Sequence, residues 1–202
     1  MAKLFFIDER PHNGLTFQKY FEDSEDYVAS TNPETLDDES SKLYEFSKLN
    51  LQRTKRIIKT YNVSDEMAEI ISGIKSEQIW MVLTEDWCGD SAQNLPFIAK
   101  IAGINPSIKL RILKRDENLD IIDQYLTNGK SRSIPKLVAF DADGNELFQW
   151  GPRPTLLQQK VDEWKTELSK DELSTKIHTL YAANKGMELE KEFRMLLSEN
   201  TQ

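Results

Sequence analysis

The stretch Gln78-Ile79-Trp80-Met81-Val82-Leu83-Thr84-Glu85-Asp86-Trp87-Cys88-Gly89-Asp90-Ser91 decides the reading of this chain. Ile79 to Leu83 is a short, continuous apolar run, and its length and β-branched or aromatic content predict a strand buried on both faces. A helix follows from near Cys88, with Leu95, Ile98 and Ala102 on one side. The fragment therefore reads as a buried strand that turns sharply into a helix, with the chain's single cysteine at the helix start.

Downstream, Ile108, Leu110 and Ile112 alternate with Lys109 and Arg111 as a second strand, and Leu119, Ile122, Tyr125 and Leu126 predict a helix ended by Asn128-Gly129. Leu137–Phe140 and Glu146–Trp150 flank Ala142-Asp143-Gly144-Asn145, whose Asp-Gly pair signals a hairpin. Leu156, Leu157, Val161 and Trp164 suggest a further helix. The order β-α-β-α-β-β-α makes an α/β domain with a central mixed four-stranded sheet and helices on both faces.

Upstream, Leu43, Tyr44, Phe46, Leu51, Ile57 and Ile58 recur at helical spacing from about Ser40 to Tyr61. Ser64 is an N-cap for a helix carrying Met67, Ile70, Ile71 and Ile74. Two amphipathic helices close the chain, on Leu173/Ile177/Leu180/Tyr181 and Leu189/Phe193/Leu196/Leu197. The expected division is an N-terminal helical extension over 1–76 packed on the core, a core domain over 77–168, and a C-terminal helical extension over 169–202.

Charge and composition exclude several classes. With 26 Lys+Arg against 34 Asp+Glu among 202 residues, the net charge of −8 argues against a general nucleic-acid binder. The acids are concentrated: nine, with one base, lie between Glu22 and Glu45, and five bases without an acid lie between Lys48 and Lys59. Leu4-Phe5-Phe6-Ile7 is too short for the roughly 7–15-residue apolar segment of a secretory signal, and nothing approaches the ~20 apolar residues of a membrane span. One cysteine permits no internal disulfide, and His12 and His178 lie far from it in sequence, so the expectations are a cytoplasmic protein with no metal site and no membrane partner. Gly129-Lys130-Ser131 lacks the first glycine of a phosphate loop, and Asp141-Ala142-Asp143-Gly144-Asn145 has its glycine two positions early for a calcium loop. Both read as turns.

Trp87-Cys88-Gly89, the Pro96 eight residues after the cysteine, the Ile134-Pro135 pair opening the third strand and the Gly151 ending the last one together resemble the thioredoxin superfamily. The resemblance covers about 78–168. The helix around Asn50-Leu51-Gln52-Arg53 through Arg56, with Trp87-Cys88-Gly89-Asp90 and Trp150-Gly151-Pro152-Arg153-Pro154, is similar to a group of bacterial thioredoxin-family proteins of poorly defined function. A thioredoxin-like fold with a cis Pro135 near Cys88 is what this implies. The departures are as informative. Ser91 replaces the second cysteine of a C-x-x-C turn, and Val82 stands where thioredoxins bury an aspartate.

A cysteine at a helix N-terminus faces unpaired amides and the positive end of the dipole, so Cys88 is expected to be partly exposed and shifted toward thiolate. Asp90 opposes that shift, and Ser91 could donate a hydrogen bond to the sulfur without taking part covalently. A dithiol cycle is closed to one chain, because no second thiol can resolve a mixed disulfide. The expected function is thiol-disulfide exchange through Cys88, with Ser91 assisting and an external thiol resolving. As in monothiol glutaredoxins, a small thiol such as glutathione would serve as co-substrate, and the partners would be small or protein thiols and disulfides. Trp87, Gly89, Asp90, Ile134, Pro135, Gly151 and Arg153 are the expected substrate-binding residues; Lys130, Arg132, Lys136 and Arg153 could hold carboxylates, and Arg53 and Arg56 should approach the same edge. The rival expectation is a non-catalytic thioredoxin-fold module that binds a protein partner.

Overall fold

The computed structural model describes residues 3–199; the outermost ends of the two expected extensions, 1–2 and 200–202, lie outside the described residues. Four strands, β1 (Gln78–Thr84), β2 (Ile108–Lys114), β3 (Lys136–Asp141) and β4 (Glu146–Trp150), form one sheet in the order β2-β1-β3-β4. β1 pairs parallel with β2, setting Val82 beside Ile112, and antiparallel with β3, setting Val82 beside Leu137. Every residue of β1 is buried, as its unbroken apolar run requires of a central strand covered on both faces. Its period of two sends Trp80 and Val82 into one core cluster and Met81 and Leu83 into the other.

Ten α-helices and one short 3-10 helix (Pro33–Thr35) occur among the described residues: α1 (Leu4–Ile7), α2 (Arg10–Asn13), α3 (Phe17–Ser30), α4 (Asp38–Thr60), α5 (Asp65–Gly73), α6 (Gly89–Ala102), α7 (Leu119–Ile122), α8 (Thr155–Trp164), α9 (Lys170–Asn184) and α10 (Met187–Glu199). None is long and apolar enough to cross a membrane. α4 begins two residues before the expected Ser40 because Asp37 caps it, accepting from the Ser40 amide at 2.7 Å. α5 begins as its sequence predicts, with Ser64 Oγ accepting from the Met67 amide. α7 ends a turn earlier than expected. After Ile122 the backbone bonds tighten, Tyr125 N donating to Ile122 O, and Thr127 then pairs with Ser131 around Asn128 and Gly129, both at positive φ.

The flanking helices pack on the sheet domain. Phe5 is fully buried, its ring 6.0 Å from that of Phe140 on one sheet face. On the other face Phe193 of α10 meets Trp80 and Trp150, with ring centroids 5.7 Å apart in each case. α4 lies along α6, and α3 lies along α4. There Glu25 pairs with Lys55 at 2.7 Å, so the acidic and basic blocks of the N-terminal third partly neutralise one another in space. Leu15 exchanges both backbone bonds with Ile112 at 2.9 and 2.8 Å and covers part of the β2 edge.

Candidate active site around Cys88

β1 ends at Thr84, and after Glu85, Asp86 and Trp87 the next residue, Cys88, caps α6 in extended conformation (φ −79°, ψ 116°) without a capping bond from its own side chain. The sulfur lies across from the start of β3, where it donates to the Ile134 carbonyl at 3.3 Å. The Ile134–Pro135 bond is cis. So is Gly151–Pro152, for which the sequence held no signal recognised above. Gly151 sits at φ +112°, and a Cβ there would lie 2.2 Å from the Pro135 carbonyl oxygen. Only glycine fits both the conformation and the gap, so the β4 end is pressed directly onto the proline loop.

The expectation of an exposed sulfur is corrected by this geometry, and the opposed pulls of the helix terminus and Asp90 are settled against the thiolate by burial. Cys88 is only 9% exposed, packed in the cluster that holds Met81, Leu83, Ile134 and Val138. Burial pushes its pKa up, Asp90 pushes the same way, and the Ser91 hydroxyl with the Ser91 and Asp90 amides only partly offsets them. The helix terminus acts as expected, but desolvation of the thiolate outweighs it. Ser91 is 2% exposed and its hydroxyl makes no hydrogen bond in this arrangement, which leaves it free for a sulfur that loses its proton. Val82 is fully buried. Just past the end of β1, Glu85 is also buried; it accepts from the Asp116 amide at 2.8 Å and is held above the usual carboxylate range by desolvation.

Asp90 and Arg153, both expected to face substrate, face each other instead. Arg153 Nη2 reaches Asp90 Oδ2 at 2.6 Å and Nε reaches Oδ1 at 2.9 Å, a two-pronged pair largely out of solvent. The Tyr181 hydroxyl donates to Asp90 Oδ1 at 2.8 Å, and Asn94 Nδ2 bridges the Asp90 carbonyl and the Tyr181 oxygen. Arg132 likewise pairs with Asp123 at 2.6 Å, and Lys136 is buried on β3, so neither offers a free surface charge, while Lys130 stays exposed. Trp87 packs against the Cys88 cluster beneath the Arg115 guanidinium, 5.0 Å from the ring centroid.

Sequence distance misled about His178. α9 lays its ring against Gly89, where a Cβ would come within 2.8 Å of the imidazole, and Nδ1 meets Gln93 Nε2 at 3.2 Å. Burial and the nearby Arg53, Arg153 and Arg56 push its pKa down to about 4, so the ring is neutral at pH 7. α4 brings Asn50, whose Nδ2 donates to the Asp86 carbonyl at 2.9 Å, and Arg53, whose Nη1 lies 3.6 Å from the same Cβ position of Gly89. The sequence reading gives Gln93 and Asn94 no role, takes Asn50 only as part of a family-like helix and Tyr181 only as part of an apolar stripe, and sets His178 apart from Cys88. Each is a polar residue within a helix stripe that otherwise packs inward, and that is the signal that could have marked them.

With this geometry in view, comparison with known families is decisive. A thioredoxin family profile matches residues 38–165, well over half of the chain. The chain belongs to the thioredoxin family. The family match begins at α4 and stops after α8, so it takes in the helix that carries Asn50 and Arg53 but not the helix that carries His178 and Tyr181. Among solved structures, an HIV epitope scaffold is similar at 18% identity and TM-score 0.59, over 96% of this chain and 98% of its own. A protein of unknown function from Pseudomonas aeruginosa is similar at 20% identity and TM-score 0.51, over 93% of this chain and 99% of its own. At these identities the likeness shows the fold. No curated protein matches the chain. The structure is thus a thioredoxin-like domain with a single cysteine.

Proposed function

We propose that the protein exchanges thiols and disulfides through Cys88, with an external thiol completing each cycle. The observation that supports this reading is the placement of the sulfur at the α6 N-terminus, 3.3 Å from the Ile134 carbonyl beside a cis proline. The Cys88 thiolate attacks one sulfur of a disulfide; the new S–S bond forms as the old one breaks, and the departing thiolate takes up a proton from solvent. A second thiolate then attacks the mixed disulfide and restores Cys88 as a new small disulfide leaves. A small thiol such as glutathione fits the second step, and a reducing compartment such as the cytoplasm would supply it. Trp87-Cys88-Gly89-Asp90 and Trp150 to Pro154 support membership of the bacterial group with a C-x-x-S turn.

The burial of the sulfur favours a second reading, a non-catalytic interaction module that has kept the turn. One experiment separates the two. Incubated with a small disulfide, the wild type should gain one mixed adduct by mass and show little dithiol-type reduction of a protein disulfide. Ser91→Cys should create that reduction, because position 91 lies one helical turn from Cys88, and Cys88→Ser should abolish both. A wild type that accepts no adduct, with a Ser91→Cys variant that neither closes an internal disulfide nor reduces one, leaves only the binding module.

A further inference from the structure

The positive charges around Cys88 are unequally matched. Arg153 is paired with Asp90, Arg132 with Asp123, Lys114 with Glu85 and Asp86, and Lys55 with Glu25. Arg53 and Arg56 form no ion pair among the described residues, in a chain whose net charge is −8. Each is nonetheless aimed. Arg53 Nη1 donates to Asn50 Oδ1 at 2.7 Å, and Asn50 is itself fixed to the Asp86 carbonyl of the active-site turn. Arg56 Nη2 reaches toward Gln93 Oε1 at 3.5 Å, and Gln93 is 3% exposed and held by His178. A guanidinium has five N–H donors, so most of those on both residues remain open.

Half-buried and beside a like charge, Arg53 holds its proton less tightly than an ordinary arginine, with burial the larger cause and Arg56 the second. Asp90 offsets part of this but makes no ion pair with either arginine and is already held by Arg153, so an incoming anion would relieve what remains of the repulsion between the two cations. The cleft between α4 and α9 offers room for one: Arg56, Gln93, Phe97, Tyr181 and Lys185 line it together with Glu190, whose carboxylate is already hydrogen-bonded to Tyr61 and Ser64, and Arg53, three residues before Arg56 on α4, stands outside its lining. Arg53 stands at Gly89, the residue after Cys88.

We propose that Arg53 and Arg56 form a carboxylate-receiving subsite next to Cys88, which makes a small disulfide bearing carboxylates the preferred substrate. The inference rests on the disulfide-exchange reading above and deepens it by assigning a substrate class. It also moves the expected anion contacts away from Arg153, whose charge Asp90 already meets. The chemistry is unchanged: Cys88 sulfur forms a bond to one half of the carboxylated disulfide, the other half leaves as thiolate, and an external thiol later reverses the oxidation of Cys88.

The test measures the rate of adduct formation at Cys88 of the full chain with two probes, dithiobis(nitrobenzoate), which carries carboxylates, and dithiodipyridine, which is neutral. In the wild type the ratio of anionic to neutral rates should fall as salt is raised, because screening weakens the attraction. In the Arg53→Gln/Arg56→Gln double variant that ratio should drop about tenfold, the lower end of what local charge does to association rates. Arg53→Lys/Arg56→Lys, which keeps the charge, should recover part of it. A double variant whose ratio stays within about twofold of wild type at low salt overturns the subsite while leaving disulfide exchange intact. If neither probe forms an adduct with the folded wild type, the exchange reading itself is overturned and the subsite falls with it.

Discussion

The two sides of the Cys88 turn are built from different physics. On the sheet side the sulfur meets backbone and apolar carbon: the Ile134 carbonyl, the cis Pro135, and Gly151 pressed onto the proline. On the helical side Tyr181 of α9 joins Asp90 and Asn94 of α6 and Arg153 of the loop before α8 in one hydrogen-bonded network, His178 of α9 lies on Gly89, and α4 adds Asn50 and Arg53. Sterics hold the first side, which tolerates almost no change of shape but is indifferent to pH and salt. Electrostatics in a partly desolvated pocket hold the second, which tolerates changes of shape and responds to charge. The turn thus has one rigid wall and one adjustable wall.

Gly151→Ala attacks the rigid wall and should have the largest effect. A methyl 2.2 Å from a backbone oxygen at φ +112° has no flexible neighbour to displace. The expected cost is more than about 3 kcal/mol, seen as a drop in chemical-denaturation midpoint or a failure to fold. Gly186→Ala is the control. There the conformation is also left-handed (φ +86°), but the Cβ meets the Phe97 side chain at 2.5 Å and not a backbone atom, so the contact can be relieved by a side-chain shift against Tyr61 and the loss should be smaller. Equal losses at the two glycines would remove the distinction between backbone contact and side-chain packing.

Asp90→Asn strikes the adjustable wall and should rank second. Arg153 would be left largely buried beside a neutral amide, and breaking such a pair from one side costs about 3 kcal/mol. The same variant removes the neighbouring charge that helps hold the Cys88 thiol up. Its alkylation should therefore begin to rise at lower pH than in the wild type, even as the fold weakens. A less stable variant with an unshifted profile would mean that Asp90 matters to packing alone, and that desolvation by itself sets the thiol.

The two walls also differ in how far they could be read from sequence. β1, the turn, and Pro135 carry local signals: an unbroken apolar run, a Trp-Cys-Gly triplet, a proline opening a strand. These place the sulfur near Ile134 without knowledge of any distant helix. The adjustable wall depends on where α4 and α9 dock, and His178 is 90 residues from Cys88. The stripe of α9 reads as Leu173, Ile177, Leu180 and Tyr181, yet among these only Tyr181 is buried, and its hydroxyl donates to Asp90. The exposure of the thiol is illegible in sequence for the same reason. Helix-dipole arguments are local, whereas desolvation depends on everything packed around the sulfur.

The finest test of the comparison is the pH dependence of the adjustable wall through His178. An unfolded histidine takes up its proton near pH 6.5, but in the folded protein the ring resists until about pH 4. Between those values the unfolded state binds the extra proton, so acidification through this window favours unfolding. The stability linked to His178 is complete above pH 6.5, is lost progressively as pH falls toward 4, and changes no further below that. Because the ring is only partly shielded from solvent, the loss should be about 1–2 kcal/mol rather than the full value of the shift. Carboxylates elsewhere in this acidic chain titrate in overlapping ranges, so the informative quantity is a difference. His178→Gln keeps a polar group against Gln93 but cannot be protonated, and its denaturation free energy should decline less than that of wild type between pH 7 and pH 4. Arg53→Gln/Arg56→Gln supplies the second arm: with two of the facing cations gone, the His178 pKa should rise toward its ordinary value and the wild-type loss should shrink. If both variants lose stability in parallel with wild type, the imidazole is freely solvated. The helical wall would then be held by the Asp90–Arg153 pair and Tyr181 without any proton-sensitive contribution from α9.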